Sequence, residues 1–342
     1  TAEDLKAALE AGGEVTLGGP IELTAGTQFQ IQKTVTLDLN GYSITREGTS
    51  SSELFDINNN GSLTLNDSQG TGAINSTYPV KLWSNSTFIM NGGSITSSRG
   101  AALDIFNSAS NVKVEINGGS VKASADNTFG IRGSENVKVD ITGGSITSTT
   151  NRQAIYVSGN KDNAIEINVS GGSIRNQGQA IQAYSGAVIN VSGSAEIYSE
   201  SGTAISTQSG YGVVELNVTG GSITTGSSTG YAVQAREESC VNISGGTITG
   251  GTAVQVSDSA TVNINGGTLE GKRAAIGESS GSTAKNKTMS YWIHSAICMA
   301  FIFGFGLLTP FGSLEKLGMQ VLGIFIGLLY GWTFIGFIWP SL

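Results

Sequence analysis

A six-residue motif recurs eight times along the chain, and its spacing constrains the fold more than any other feature. Each copy reads apolar, polar, Gly, Gly, Ser or Thr, apolar, as in residues 116–121, and one degenerate copy has Gly-Ser in place of Gly-Gly. The first glycines of the copies are Gly92, Gly118, Gly143, Gly171, Gly193, Gly220, Gly245 and Gly266. They lie 21 to 28 residues apart, and a repeat of that length indicates a solenoid.

Alternating hydrophobicity within each repeat predicts strands. Residues 112–116 alternate apolar and charged side chains, and residues 137–141 repeat the pattern one period later. Two further short runs follow in most repeats, one directly after the glycines and one that begins with Ala-Ile or Ala-Val. A period of two is the strand pattern. We therefore predict a mainly β fold, a right-handed parallel β-helix with three short strands per turn, whose turns, about ten of them, stack at about 4.8 Å.

Composition suits this fold and narrows the partners. The chain contains 49 Gly and 4 Pro, as expected where many turns need glycine and many backbone N–H groups must pair. Up to residue 286 there are 16 basic and 25 acidic residues, and an acidic solenoid argues against a nucleic-acid partner. The solenoid has no His and no Gly-Gly-x-Gly-x-Asp calcium repeat, so we predict neither a metal nor a cofactor.

Both ends of the solenoid are marked in the sequence. Thr1 and Asp4 form an N-cap pattern, so we predict a helix within residues 1–13 that covers the exposed first turn. The β-helix is predicted over residues 14–276. Residues 277–290 have the composition of a linker.

The remaining residues, 291–342, are of a different character. Residues 292–308 are nearly all apolar, with His294 as the one ionisable residue, and residues 319–338 carry no charge. Stretches of this length predict two transmembrane helices in a hairpin, with Tyr330, Trp332 and Trp339 as interfacial aromatics. We therefore expect the lipid bilayer as a partner through residues 291–342, and a membrane-associated protein. The resemblance of the solenoid to bacterial surface proteins, described below, implies that the β-helix lies on the outer face of a bacterial cell.

Outward positions of a β-helix repeat turn by turn, so equivalent side chains form files along the rod. The file three residues before the glycines contains Glu115, Asp140, Asn168, Asn190, Asn217, Asn242 and Asn263. Stacked Asn side chains can hydrogen-bond along a file. We interpret this file as a stabilising surface ladder.

Two further files on the Ala-Ile strands carry the candidate binding residues. The first contains Asp104, Arg132, Tyr156, Gln182, Ser206, Gln234 and Gln255. The second, beside it, contains Phe106, Ser134, Ser158, Tyr184, Gln208, Arg236 and Ser257. Amides, Arg and scattered Tyr on a flat sheet suit a polysaccharide or host glycan, since sugars present hydroxyls and an apolar face. The predicted ligand-binding residues are Asp104, Arg132, Tyr156, Gln182, Tyr184, Gln234, Arg236 and Gln255; a merely solvated face is the alternative.

One carboxylate pair invites a catalytic interpretation. Glu115 and Asp140 are expected one strand spacing apart, near the separation in retaining glycosidases. Lys113 and Lys138 accompany them, and we interpret the four as a surface charge cluster. We predict no enzyme activity and no catalytic residue.

Two parts of the chain resemble different families. Residues 4–8 (DLKAA), residues 36–45 (TLDLNGYSIT) and the Gly-Gly-Ser-Ile turns resemble the pectate-lyase-like right-handed β-helix domains of bacterial surface proteins. Residues 303–306 (FGFG), 317–327 (LGMQVLGIFIG), 330–332 (YGW) and 339–342 (WPSL) resemble the start of the divalent anion:sodium symporter, or dicarboxylate permease, family. The second resemblance implies only the first two membrane helices, without the family's later substrate and sodium sites.

Three functions follow from these patterns. The first is a non-catalytic cell-surface β-helix, a stalk, adhesin or glycan-binding module joined to a membrane segment. The second is a fragment of a sodium-coupled anion transporter with an accessory β-helix, and the third is a polysaccharide lyase or hydrolase. The join near residues 280–290 is either a gene fusion or an artefact of gene assembly.

Overall fold

The computed structural model describes residues 1–125, 129–132, 135–150, 152–159, 165–278, 283–286, 289–304 and 316–334. The chain divides into two compact units, Thr1–Ala284 and Lys285–Leu342. The first unit is a parallel β-solenoid of about ten turns, which confirms the predicted parallel β-helix architecture. Its strands form three columns, and each strand pairs in parallel with its equivalent one turn later.

The first column contains the alternating runs that precede the glycines, paired throughout in parallel register. Its strands are β1 (Gly13–Thr16), β4 (Thr34–Asp38), β7 (Ser62–Asn66), β10 (Thr87–Met90), β13 (Ser110–Ile116), β16 (Glu135–Ile141), β19 (Ile165–Val169), β22 (Ala187–Val191), β25 (Val214–Thr225), β27 (Cys240–Val256), β28 (Thr261–Ile264) and β30 (Thr283–Asn286). The long strands β25 and β27 continue through a corner into the next column.

The second column follows the Gly-Gly corner. Its strands are β2 (Ile21–Leu23), β5 (Ser43–Arg46), β8 (Ala73–Ser76), β11 (Ser94–Ser97), β14 (Ser120–Ala123), β17 (Ser145–Ser148), β20 (Ser173–Asn176), β23 (Glu196–Ser199), the later parts of β25 and β27, and the start of β29 (Thr268–Glu278).

The third column contains the Ala-Ile and Ala-Val runs. Its strands are β3 (Phe29–Ile31), β6 (Phe55–Ile57), β9 (Val80–Leu82), β12 (Leu103–Ile105), β15 (Phe129–Arg132), β18 (Ile155–Ser158), β21 (Ile181–Ala183), β24 (Ile205–Ser209), β26 (Tyr231–Glu237) and the ends of β27 and β29.

Aliphatic side chains stack in register inside the solenoid. Val114 pairs with Val139, and Val139 pairs with Ile167. All three side chains have 0% solvent exposure. The stack continues through Ile189, Leu216, Val241 and Val262. Burial of these side chains is the main favourable term that holds the turns together, while the parallel ladder satisfies the buried backbone polar groups.

A helix covers the first turn of the solenoid. The helix α1 (Ala2–Ala11) begins at Thr1, whose hydroxyl oxygen accepts a hydrogen bond from the backbone N–H of Asp4 at 3.3 Å. Leu5 and Leu9 on its inner face are 4% and 1% exposed and belong to the solenoid core. The helix therefore supplies the apolar neighbour that the first turn would otherwise lack.

The second unit contains α2 (Met289–Gly304) and α3 (Lys316–Phe334). The two helices pack against each other, and the Cys298 thiol donates a hydrogen bond to the carbonyl oxygen of Gly327 at 3.1 Å. The ring centroids of Phe301 and Tyr330 lie 5.8 Å apart.

The predicted transmembrane hairpin is wrong. Within the described ranges, no helix combines the length and the apolar character needed to cross a lipid bilayer. The apolar stretches behind the prediction run on into residues 305–308 and 335–338, which lie outside the described residues. The membrane-associated location inferred from those stretches is therefore wrong as well.

Candidate functional site

The outer positions of the third column form one straight file of side chains. Its members are Gln30, Asp56, Lys81, Asp104, Gly130, Tyr156, Gln182, Ser206, Gln234 and Gln255, each opposite the next in the strand register. We call this set the outer file. The structure thus brings Asp104, Tyr156, Gln182, Gln234 and Gln255 into a single row.

Arg132 lies elsewhere. Gly130 occupies the place in the outer file that the sequence pattern assigned to Arg132, and Arg132 pairs with Ser158. Gly130 and Arg132 both alternate with apolar residues in β15, so the pattern alone does not show which of them belongs to the outer file. Gly130 has no side chain that could indicate its place. The side chain of Arg132 falls outside the described part of the structure.

A second row runs beside the outer file, two residues further along each strand, and we call it the flanking file. Its described side chains are Asn58, Trp83, Phe106, Ser158, Tyr184, Gln208, Arg236 and Ser257. Backbone hydrogen bonds fix this alignment: the Tyr184 N–H donates to the Val157 carbonyl oxygen at 2.8 Å. Tyr184 and Arg236 of the predicted set therefore lie in the flanking file, next to the amides of the outer file. Ser134 lies outside the described residues.

Amide side chains dominate the C-terminal half of these files. Gln153 donates to the side-chain oxygens of Gln182 at 2.7 Å and of Gln179 at 3.2 Å. Gln208 donates to a carboxylate oxygen of Glu237 at 2.6 Å. These contacts hold the amides in fixed orientations, while Arg236 is exposed to solvent.

Charged and aromatic side chains dominate the N-terminal half. Lys81 lies between two carboxylates, with Nζ 2.5 Å from Asp104 Oδ2 and 3.5 Å from Glu53 Oε1. The rings of Trp83 and Phe106 stack with their centroids 3.9 Å apart and their planes 24° apart, and Phe106 is 38% exposed. Lys81 Nζ also lies 5.5 Å from the centre of the Phe106 ring.

Sequence reasoning missed this aromatic cluster. Trp83 precedes the first full Gly-Gly motif, so the repeat pattern did not include its strand in the files. Phe106 is the residue from which the cluster could have been found. The file to which it was assigned continues into the two preceding turns, through Trp83 and then Asn58.

The carboxylate pair of the first column is engaged by lysines. Glu115 pairs in register with Asp140. Lys113 Nζ lies 2.5 Å from Glu115 Oε1, and the hydrogen bond that Lys113 donates to this carboxylate raises the pKa of Lys113. Lys138 Nζ lies 3.9 Å from Asp140 Oδ2. The arrangement is a surface charge cluster, as the lysines in the sequence indicated.

A continuous amide ladder occupies the same file of the first column. Its side-chain hydrogen bonds run from Asn168 to Asp140 (2.8 Å), Asn190 to Asn168 (2.8 Å), Asn217 to Asn190 (3.0 Å), Asn242 to Asn217 (2.9 Å) and Asn263 to Asn242 (2.9 Å). Each amide therefore donates to the turn before it and, except at the end, accepts from the turn after it.

Metal ligands do not converge anywhere in the described ranges: no three His, Cys, Asp or Glu side chains are placed to hold one ion. The thiol of Cys240 is partly buried, and this burial raises its pKa above the ordinary value. It contacts Asn242 Oδ1 at 3.7 Å, so it packs within the amide ladder.

No family, curated protein or solved structure matches this chain. Neither the resemblance to pectate-lyase-like domains nor the resemblance to dicarboxylate permeases gains support from these comparisons. The likeness that the structure does show is to a parallel β-solenoid.

Proposed function

We propose that this protein is a non-catalytic glycan-binding solenoid whose ligand lies along the third column. One observation carries the proposal: Tyr156, Gln182, Gln234 and Gln255 form a single file, with Tyr184 and Arg236 beside them. The file repeats at about one strand spacing, 4.8 Å. Half-buried aromatic rings offer apolar faces to sugar C–H groups, and fixed amides offer donors and acceptors to hydroxyls.

The disposition of the carboxylates supports a binding role over hydrolysis. Glycoside hydrolysis needs one acid that can donate a proton and a second carboxylate that is available to the sugar or to water. Glu115 and Asp140 are each paired with a lysine, and Asp104 is paired with Lys81. A lysine ammonium group therefore lies beside each of these three carboxylates.

Binding of the full chain to an array of polysaccharides and oligosaccharides tests this proposal. We expect a saturable signal that Tyr156→Ala and Tyr184→Ala each weaken about fivefold to tenfold, because a stacked aromatic contact contributes about 1 kcal/mol. Tyr42→Ala is the matched control, since Tyr42 is 37% exposed but lies outside the third column. It should bind like the unmodified chain.

Two results would contradict the proposal. Absence of binding to every glycan would remove it and leave a passive stiff rod, the role that the amide ladder of the first column favours. Release of shortened sugars from a bound glycan would show catalysis and overturn the non-catalytic part.

A further inference from the structure

A chain of hydrogen bonds fixes the ring of Trp83 on the third column. The indole N–H donates to Asp56 Oδ1. Asp56 is only 8% exposed, and its other oxygen accepts a hydrogen bond from Gln30 Nε2 at 2.8 Å. The indole is therefore held by a buried, hydrogen-bonded carboxylate, and its orientation is set before any ligand arrives.

The same chain orients Asn58. Gln30 Oε1 accepts a hydrogen bond from Asn58 Nδ2 at 2.5 Å. Because the Gln30 amide nitrogen is committed to Asp56, this contact decides which end of the Asn58 amide is the oxygen. Asn58 Oδ1 points the other way, and it is buried with no hydrogen-bond donor among the described residues. A buried acceptor without a donor carries a free-energy cost that a suitably placed hydroxyl removes.

Asn58 lines a depression of about 510 Å³. Besides Trp83 and Asn58 its lining includes Asn59, Asn60, Ser84 and Asn85. The three added asparagines all have positive φ, at 50°, 67° and 59°. Such backbone conformations in non-glycine residues cluster at functional sites, and the volume lies in the range of small-molecule sites.

The indole separates the aromatic and the amide parts of this region. Trp83 N donates to the Ile57 carbonyl oxygen at 3.0 Å, and Phe106 N donates to the Leu82 carbonyl oxygen at 2.8 Å. Asn58 and Phe106 therefore lie one turn before and one turn after Trp83. Phe106 stacks on one side of the indole, and Trp83 lines the depression together with the asparagines.

From this geometry we propose that the depression beside Trp83 is a subsite for one uncharged sugar ring. The indole provides a flat apolar surface, and Asn58 Oδ1 with the asparagine and serine groups receives and donates hydroxyl hydrogen bonds. Asp56 is the charged group of the lining, and Lys81 beside it is already paired with Asp104 and Glu53. The site therefore selects a neutral sugar over a uronate, whose carboxylate Asp56 would repel.

This inference rests on the proposed glycan-binding role and names the sugar class and the subsite. Indole ¹⁵N labelling of the full chain gives one N–H signal for each of its 4 Trp residues, and the Trp83→Phe variant assigns the signal of Trp83. Methyl glycosides of glucose, galactose and mannose are the probes, with glucuronate and galacturonate as the charged comparison. We expect at least one neutral glycoside to shift the Trp83 signal saturably, and neither uronate to shift it.

Two variants distinguish loss of the binding site from a defect in folding. Asn58→Ala should raise the dissociation constant at least fivefold while leaving the circular dichroism spectrum unchanged. Asn136→Ala is the matched control, because Asn136 is another positive-φ asparagine (51°) that lies outside the depression, and it should bind as the unmodified chain does.

The outcomes separate the two proposals. A Trp83 signal that no neutral glycoside moves, or that the uronates move equally, overturns the subsite. If the array signal still depends on Tyr156 and Tyr184 in that case, the proposed function stands without the subsite. A saturable Trp83 shift with an empty array keeps the subsite and overturns the extended surface.

Discussion

Asn217 lies in the middle of the amide ladder and makes two of its bonds. It donates to Asn190 Oδ1 at 3.0 Å and accepts from Asn242 Nδ2 at 2.9 Å. Parallel backbone pairing already holds these residues in register, so the amides need little further ordering to meet. The ladder is therefore a local contribution to the contact between successive turns.

Replacement of Asn217 tests the strength of that contribution. Asn217→Ala should lower the local free energy of opening in β22 and β25 by about 1–2 kcal/mol, the net value of one or two hydrogen bonds. Asn263→Ala is the control, because Asn263 makes one ladder bond, to Asn242, and should cost about half as much. Amide hydrogen exchange measures both. Equal losses would show that the ladder bonds do not contribute singly.

Asp38 supplies a pH-dependent contribution to stability. Its carboxylate accepts backbone hydrogen bonds from Ser68 at 2.9 Å and Asn40 at 2.8 Å, and the Ser68 bond is the main reason that its pKa lies below the ordinary 3.8. A depressed folded pKa means that folding favours the ionised form. The stabilisation is complete above the ordinary pKa and is lost as the pH falls through the folded pKa.

Denaturation of the unmodified chain and of Asp38→Asn across a pH series checks this sign. We expect the stability difference to be constant above about pH 5 and to shrink as the pH falls further. Ser68→Ala, which keeps the backbone donor, should retain most of the profile. A difference that grows on acidification would contradict the assignment.

Glycine corners determine how closely one turn approaches the next. A Cβ on Gly118 would lie 2.5 Å from the carbonyl oxygen of Asn91 in the preceding turn. Gly119 has φ +80°, and its Cβ would lie 2.6 Å from the carbonyl oxygen of Gly93. Both glycines are therefore required by contact between backbones, and Gly119 by its own conformation as well.

Gly118→Ala should destabilise the solenoid by about 1–3 kcal/mol, as expected when a methyl group forces a backbone shift in a tightly packed site. Gly19→Ala is the control, since a Cβ there meets nothing within 4 Å and its φ is not positive. It should be neutral or slightly stabilising. Thermal unfolding of the two variants measures the contrast, and a tolerated Gly118→Ala would show that the turns are not in backbone contact there.

The sequence predicts the elements well wherever outward and inward residues differ in character. Val114, Val139 and Ile167 align as expected because one apolar residue in two marks the buried side. The third column was harder, because Gly130 carries no side chain to show that it faces outward. The site beside Trp83 could not be predicted, since the hydrogen-bond chain from Trp83 through Asp56 and Gln30 joins residues of three successive turns.

The tail shows a different limit of sequence reasoning. Apolar composition alone predicted two membrane spans in residues 291–342, but no helix within the described residues meets the requirements for a span.

A solenoid transmits stability only between neighbouring turns, so its ends behave differently from its middle. Leu5 and Leu9 of α1 join the apolar stack at the first turn. Leu9→Ala should therefore increase hydrogen exchange in β1, β2 and β3 strongly, while β13 and later strands stay protected. Lys6→Ala is the control, because Lys6 lies on the same helix in an exposed ion pair with Glu10 and contributes little. Uniform loss of protection along the chain would show a single cooperative unit instead.

Dependence on immediate neighbours also governs how such a molecule can change in evolution. Duplication or loss of one repeat, 21 to 28 residues in this chain, adds or removes one whole turn of the solenoid and leaves the turns on either side intact. The separation between Trp83 and Tyr156 can accordingly be altered only in increments of about 4.8 Å. The length of ligand that the surface accommodates can therefore change through the number of turns, while the shape of each turn stays the same.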